Sequence, residues 1–123
     1  SKMINVKDKI YGALCKVSEN VSDIYPQDWA KMPGIQYTEE ANTVYTKTDG
    51  VEQYSYLRYR IDIWSNGSTT DTALKVDEEI SKLGLVRTLC TDVADPSGRR
   101  HKQMRYEGII DEKTETVYWE GNR

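Results

Sequence analysis

The most regular pattern of apolar and polar positions lies in residues 52–64, EQYSYLRYRIDIW. One side of this alternation is apolar and comprises Leu57, Tyr59, Ile61 and Ile63. The other side mixes aromatic, basic and acidic residues and comprises Tyr54, Tyr56, Arg58, Arg60, Asp62 and Trp64. A period of two is typical of a strand, and its apolar side must be covered by helices or by a second sheet. The sequence therefore predicts one long strand around which the chain is arranged.

Two segments have the apolar spacing of amphipathic helices. The first lies within residues 3–20, with Asn5 and Asn20 as predicted caps. Its apolar stripe comprises Val6, Ile10, Ala13, Leu14 and Val17. The second begins at a hydroxyl residue within 68–70, and its stripe comprises Ala73, Val76, Ile80 and Leu83. Gly84 follows the last apolar position, where a left-handed residue commonly ends a helix.

The remaining strands are predicted from shorter alternations. They comprise residues 35–39, 85–94, 99–110 and, as a possible edge strand, 116–119. The polar residues 41–51 predict a loop that ends in the turn signal Asp49-Gly50, with Val44 and Tyr45 as a possible extension of the first strand. Residues 95–98, Asp-Pro-Ser-Gly, predict the turn between the last two long strands.

This order of elements predicts an α+β fold. Each helix has one apolar stripe and each strand has one apolar face, so we predict a single antiparallel sheet with both helices packed on one face, in the order α-β-β-α-β-β. The 123 residues suffice for a single domain, 1–123. We interpret residues 1–2 as a tag remnant, and residues 112–123 as a C-terminal turn followed by a short strand or a tail.

Composition narrows the classes of function. Charged residues make up 30% of the chain, and the net charge of −3 gives no overall attraction to nucleic acid or to anionic membranes. No apolar run approaches the roughly 20 residues that a membrane span requires. The chain shows no secretory signal pattern, so we predict a reducing compartment in which Cys15 and Cys90 are two buried free thiols.

Candidate chemistry is sparse. His101 is the only histidine, and no neighbour in the sequence would position it as a general base. A nucleophile pair of Cys15 and His101 would require that the fold bring them together. The carboxylates and glycines match no metal-binding loop and no phosphate-binding pattern. The sequence therefore predicts no catalytic residue, cofactor or metal, and the protein is predicted not to be an enzyme.

The aromatic and arginine side of the long strand leaves three interpretations open. It would be a partly exposed sheet surface, a platform on which single-stranded nucleic acid bases stack, or a subunit interface, since aromatic and arginine residues dominate interface hot spots. We favour the interface. The basic cluster at residues 99–102 is either an exposed shoulder of a hairpin or a contact for an acidic partner or for phosphates.

Several phrases of the sequence resemble one protein family. They are Pro33-Gly34-Ile35, Tyr59-Arg60-Ile61-Asp62-Ile63-Trp64-Ser65, Lys82-Leu83-Gly84-Leu85 followed by Arg87-Thr88, the turn Asp95–Gly98, and His101-Lys102-Gln103-Met104-Arg105-Tyr106. This succession, which runs from about residue 6 to residue 110, resembles the tail-completion proteins of long-tailed bacteriophages and prophages, also described as tail terminators or tail-to-head joining proteins.

The resemblance implies a structural role in virion assembly. Such proteins form a six-membered ring on the tail tube, end its polymerisation and present a surface to the head connector. The implied partners are therefore other copies of this chain, the tube protein and the connector protein. Genomic DNA would pass through the ring without sequence-specific contacts, and no membrane is involved. The implied location is the head–tail junction of the virion, after synthesis in the cytoplasm of the host bacterium.

A ring requires two different patches that meet between neighbouring copies. Our candidates for one such patch are Tyr54, Tyr56, Arg58, Arg60 and Trp64. Our candidates for contacts with the tube or the connector are Thr46, Lys47, Asp49, Arg99, Arg100 and His101.

Overall fold

The long strand predicted at residues 52–64 extends from Val51 to Ser65 and lies inside one six-stranded sheet. The computed structural model describes residues 6–48 and 51–118. Its elements are α1 Lys7–Cys15, β1 Asn20–Ser22, β2 Gly34–Thr48, β3 Val51–Ser65, α2 Thr70–Ser81, β4 Val86–Val93, β5 Arg100–Asp111 and β6 Val117–Tyr118. The fold is α+β with a single sheet and two helices, as the sequence predicted.

The sheet is mixed, so the prediction of a wholly antiparallel sheet was wrong. The strand order is β1-β2-β3-β5-β4, and β6 pairs with β5. β1 runs parallel to β2, whereas every other pairing is antiparallel. The sequence did not indicate β1 because three residues are too few to show an alternation. Asn20 opens this strand and does not end the first helix. Its amide Nδ2 donates to the carbonyls of Asp28 and Lys31 at 2.8 and 2.7 Å.

The hairpin of β2 and β3 is longer than predicted. Residues 41–48, which we predicted as a loop, continue β2, and Val44 pairs with Ser55 near the hairpin end. The alternative in which Val44 and Tyr45 extend the strand is therefore correct. Asp49 lies outside the described residues. β2 contains an irregularity between Glu39 and Ala41, which makes Glu40 an extra residue opposite β3.

The apolar stripes meet in one core, as predicted. The long strand contributes Leu57, Tyr59, Ile61 and Ile63, all of which are fully buried. The first helix contributes Ile10 and Leu14, and the second contributes Ala73, Val76 and Ile80. The first helix, α1, is shorter than the predicted range 3–20, and its N-cap is Val6. The predicted cap Asn5 lies outside the described residues. Within the described residues, no helix is long and apolar enough to cross a membrane.

Three further details correct or refine the sequence predictions. Cys15 and Cys90 are free thiols, but both are exposed, so the prediction that they are buried was wrong. Gly84 has a φ of 91°, the left-handed conformation predicted for the end of α2. The predicted edge strand at residues 116–119 is present as β6, which pairs with Ile109 and Ile110.

Candidate functional site

The back face, by which we mean the sheet face opposite the helices, carries the polar side of β3. Along β3, Arg58, Arg60 and Asp62 lie on this face, and they alternate with core residues that lie on the helix side. Their partners on β5 are Glu107, Arg105 and Gln103, respectively. Directly opposed residues in an antiparallel pair place their side chains on the same face. The back face therefore carries two adjacent rows of polar side chains, most of which are charged.

Three arginines on this face share one carboxylate, and we call Glu40, Arg58, Arg60 and Arg105 the ion cluster. Glu40 Oε1 accepts from Arg58 Nε at 3.2 Å and from Arg105 Nε at 2.9 Å. Glu40 Oε2 accepts from Arg60 Nη1 at 3.4 Å and from Arg105 Nη2 at 3.3 Å. Arg105 therefore holds the carboxylate with two hydrogen bonds, a geometry that fixes a planar guanidinium well.

The ion cluster is held by strong local electrostatics. The Glu40 side chain is 14% exposed, whereas that of Arg58 is 43% exposed. Burial alone would raise the pKa of the Glu40 carboxyl, but the hydrogen bond from Arg105 and the charges of the three arginines outweigh it and hold that pKa below its usual range. Glu40 thus acts as a fixed anion that orients three guanidinium groups on the back face.

A second group of polar side chains surrounds His101. Its Nε2 lies 2.7 Å from Asp62 Oδ1, and its Nδ1 lies 3.5 Å from Asp95 Oδ1. Asp62 also accepts from Arg60 Nε at 2.9 Å and from Gln103 Nε2 at 3.1 Å. All three of His101, Asp62 and Asp95 have side chains that are at most 10% exposed. The imidazole therefore links β3, β5 and the turn after β4.

Trp64 lies under aromatic residues of the loop between β1 and β2. Its ring centroid is 5.2 Å from that of Tyr25 and 6.1 Å from that of Trp29. The Trp64 ring also stacks on the imidazole of His101, with the two centroids 4.4 Å apart. Its Nε1 donates to Asp95 Oδ1 at 3.1 Å. Hydrogen bonds from Ser97 and from this indole lower the pKa of the Asp95 carboxyl. Only 3% of Trp64 is exposed, so its ring cannot reach another subunit or stack on a base.

The other candidates for the interface patch are half-buried on the back face. Tyr56 donates a short hydrogen bond to Glu107, and burial together with this bond raises the pKa of its phenol. The Tyr54 ring lies edge-on to that of Tyr118, with centroids 6.4 Å apart. Together with Arg58 and Arg60, these rings form the part of the predicted patch that a neighbouring copy can contact.

The residues predicted to contact the tube or the connector do not form one surface. Thr46 is exposed on the far half of β2, whereas the side chain of Lys47 lies outside the described residues. Arg99 lies at the other end of the sheet, where its guanidinium carbon is 4.4 Å from the Trp29 ring centroid. Arg100 and His101 line a surface groove of about 600 Å³ that reaches the start of α2.

Cys15 and His101 are not brought together. Cys15 ends α1 on the helix side of the sheet, whereas His101 lies on the back face. The nucleophile pair that the sequence left open is therefore not present. The described residues also contain no group of three His, Cys, Asp or Glu side chains arranged to hold a metal ion.

In the part of the chain that the structure describes, the sheet has two edges without a strand partner, which the sequence did not indicate. β1 pairs with β2 only at Gly34–Gln36, so the outer side of residues 41–48 has no strand partner in the described part of the chain. β4 forms the opposite end of the sheet. Val44 and Tyr45, on the first of these edges, are 47% and 50% exposed. An exposed edge with apolar side chains is a ready contact for another strand.

Comparison with known proteins gives no family assignment: no protein-family model matches the chain, and no curated protein matches it. The surfaces and open edges of the sheet, with the resemblance in the sequence, are therefore the basis on which we infer function.

Proposed function

We propose that this chain is a structural subunit of a phage or prophage tail, which assembles with copies of itself into a ring on the end of the tail tube. The ring ends polymerisation of the tube and offers a different surface to the head connector. The proposal requires no covalent chemistry, because a cap stops growth by covering one interface.

The observation that carries this proposal is the difference between the two open edges of the sheet. A ring of identical subunits needs a heterologous contact, in which one patch of each copy meets a different patch of the next. β4 and the outer half of β2 lie at opposite ends of the same sheet. Two different edges at opposite ends of one subunit fit a head-to-tail arrangement better than a two-fold dimer.

The back face supports the proposal in a second way. The three guanidinium groups of the ion cluster are fixed by Glu40 before any partner binds. Side chains that are ordered in advance lose less conformational entropy on association. Arg58, the most exposed arginine of the cluster, is therefore well placed to contact a neighbouring copy or the tube.

The proposed function is tested by adding the purified chain to the tube-forming protein encoded in the same gene cluster. We expect growing tubes to stop and their median length, measured by negative-stain electron microscopy, to fall several-fold at equimolar protein. Class averages of tube ends should show one additional ring.

A matched control uses Lys9→Glu, which changes an exposed residue of α1 that belongs to neither open edge. This variant should cap tubes as well as the original chain does. Unchanged tube lengths together with bare tube ends, at a protein concentration in excess of the tube protein, would show that the proposed function is wrong.

A further inference from the structure

We infer that β4 of one copy pairs with the outer edge of β2 in the next copy, so that one continuous sheet runs through the assembly. The partner at each edge is therefore a second copy of this chain. The pairing joins residues Leu89–Thr91 to residues Thr43–Tyr45. This inference rests on the proposed function, because it names the contact that closes the ring.

Both segments are accessible, and among the described residues neither has a strand on its outer side. Cys90, Thr91 and Asp92 are exposed, and β4 has no strand beyond it in the described part of the chain. On β2, Val44 and Tyr45 are about half-exposed, as given above, and the pairing of β2 with β3 continues past them with a shift of register between Val44 and Thr46. Pairing would satisfy the outward backbone groups of both strands and cover these two apolar side chains.

The strand directions suit this contact. β2 is antiparallel to β3, β3 to β5, and β5 to β4, so β4 runs opposite to β2 within one copy. A second copy that continues the sheet in the same orientation therefore places its β2 antiparallel to β4 of the first. The two edges would therefore meet in the same antiparallel arrangement that joins the long strands within each copy.

The faces on which the side chains lie fit a register in which Cys90 is opposite Val44 of the next copy. Cys90 pairs with the buried Met104, and Val44 pairs with the buried Ser55, so both lie on the helix side of the sheet. Placing Cys90 opposite Val44 also sets Thr91 opposite Thr43 on the back face, a favourable cross-strand pair.

This register gives a stagger that is compatible with a closed assembly. Within one copy, Cys90 lies level with Ile61 of β3, whereas Val44 lies level with Ser55. The two positions are therefore offset by about six residues, or about 20 Å, along the strand direction. Across the sheet, the four strands of one copy span about 19 Å. The resulting strand tilt of about 45° is within the range typical of sheets that close on themselves. The segment β1 then lies in line with the incoming β4, beside the first half of β2.

Disulfide trapping tests the pairing, because Cys90 is a natural thiol on β4. In a Cys15→Ser background, Val44→Cys would place a second thiol opposite Cys90 of the next copy, within the Cα separation that a disulfide allows. We expect mild oxidation of concentrated protein to give a ladder of covalent oligomers on non-reducing gels. Mass spectrometry of digested bands should identify the link between positions 44 and 90.

The control variant Lys9→Cys, in the same background, carries an exposed thiol on α1, which belongs to neither edge. We expect on the order of tenfold less cross-linking from it, because no contact raises its local concentration near Cys90. Equal cross-linking by the two variants would overturn the edge pairing. If rings nevertheless form on tubes, the proposed function stands and only the pairing fails. If no rings form while the ladder appears, the pairing stands and the proposed function fails.

Discussion

Substitution of Gly84 by alanine is expected to lower the free energy of unfolding by about 2–4 kcal/mol. Two costs add at this position. Gly84 has a φ of 91°, which is unfavourable for residues with a side chain. A Cβ at this position would also overlap the carbonyl group of Val117, which belongs to β6. Urea unfolding followed by circular dichroism would measure the loss, and the melting temperature should fall by about 10 °C.

Gly98→Ala separates these two costs. Gly98 also has a positive φ, of 77°, but nothing lies within 4 Å of a Cβ built on it. This variant should therefore lose only the conformational part, about 1–2 kcal/mol. If the two variants were equally destabilised, the contact between Gly84 and Val117 would contribute nothing, and the position of β6 against the end of α2 would be in question.

Gly84 also shows which features a local sequence pattern can predict and which it cannot. A glycine after an amphipathic stripe predicted the end of α2, because helix termination depends on a few adjacent residues. Its contact with Val117 depends on the pairing of β6 with β5, which no local pattern records. The same limit explains the parallel strand β1, whose three residues pair with β2 after a loop of eleven residues, 23–33.

The error at residues 41–48 has a different physical origin. These residues are mostly polar, so their alternation gave no apolar face and favoured a loop. They form a strand because β3, whose own pattern is strong, pairs with them over most of their length. β-propensity depends on context in this way, and a polar segment can be carried into a sheet by its partner.

The candidate surface was only partly predictable. The alternation of β3 correctly assigned Arg58 and Arg60 to the face opposite the core. It could not show that the loop with Tyr25 and Trp29 folds over Trp64 and removes that ring from the surface. Nor could it identify Glu40, because the irregularity in β2 that makes it an extra residue follows from the pairing and not from residue type.

Replacement of Glu40 by glutamine should destabilise the protein by about 1–3 kcal/mol at pH 7. Glutamine preserves the shape of the side chain but removes the charge that three arginines share. The guanidinium groups of Arg58, Arg60 and Arg105 would then repel one another across the back face. The free energy of unfolding in urea at neutral pH would measure this loss. Glu39→Gln is a matched control, since it removes the same charge from the adjacent residue, which contacts no arginine through an ion pair among the described residues.

The pH dependence of this difference identifies its cause. The pKa of the Glu40 carboxyl is lower in the folded protein than its ordinary value of 4.5. Its contribution is therefore fully present above about pH 4.5 and is lost as the pH falls through the lower, folded pKa. The stability difference between the original chain and Glu40→Gln should accordingly shrink as the pH is lowered below that value, because a protonated carboxyl and an amide are both neutral. A difference that stays constant from pH 7 to acidic pH would mean that Glu40 contributes through its shape and not through its charge, and the electrostatic account of the ion cluster would be wrong.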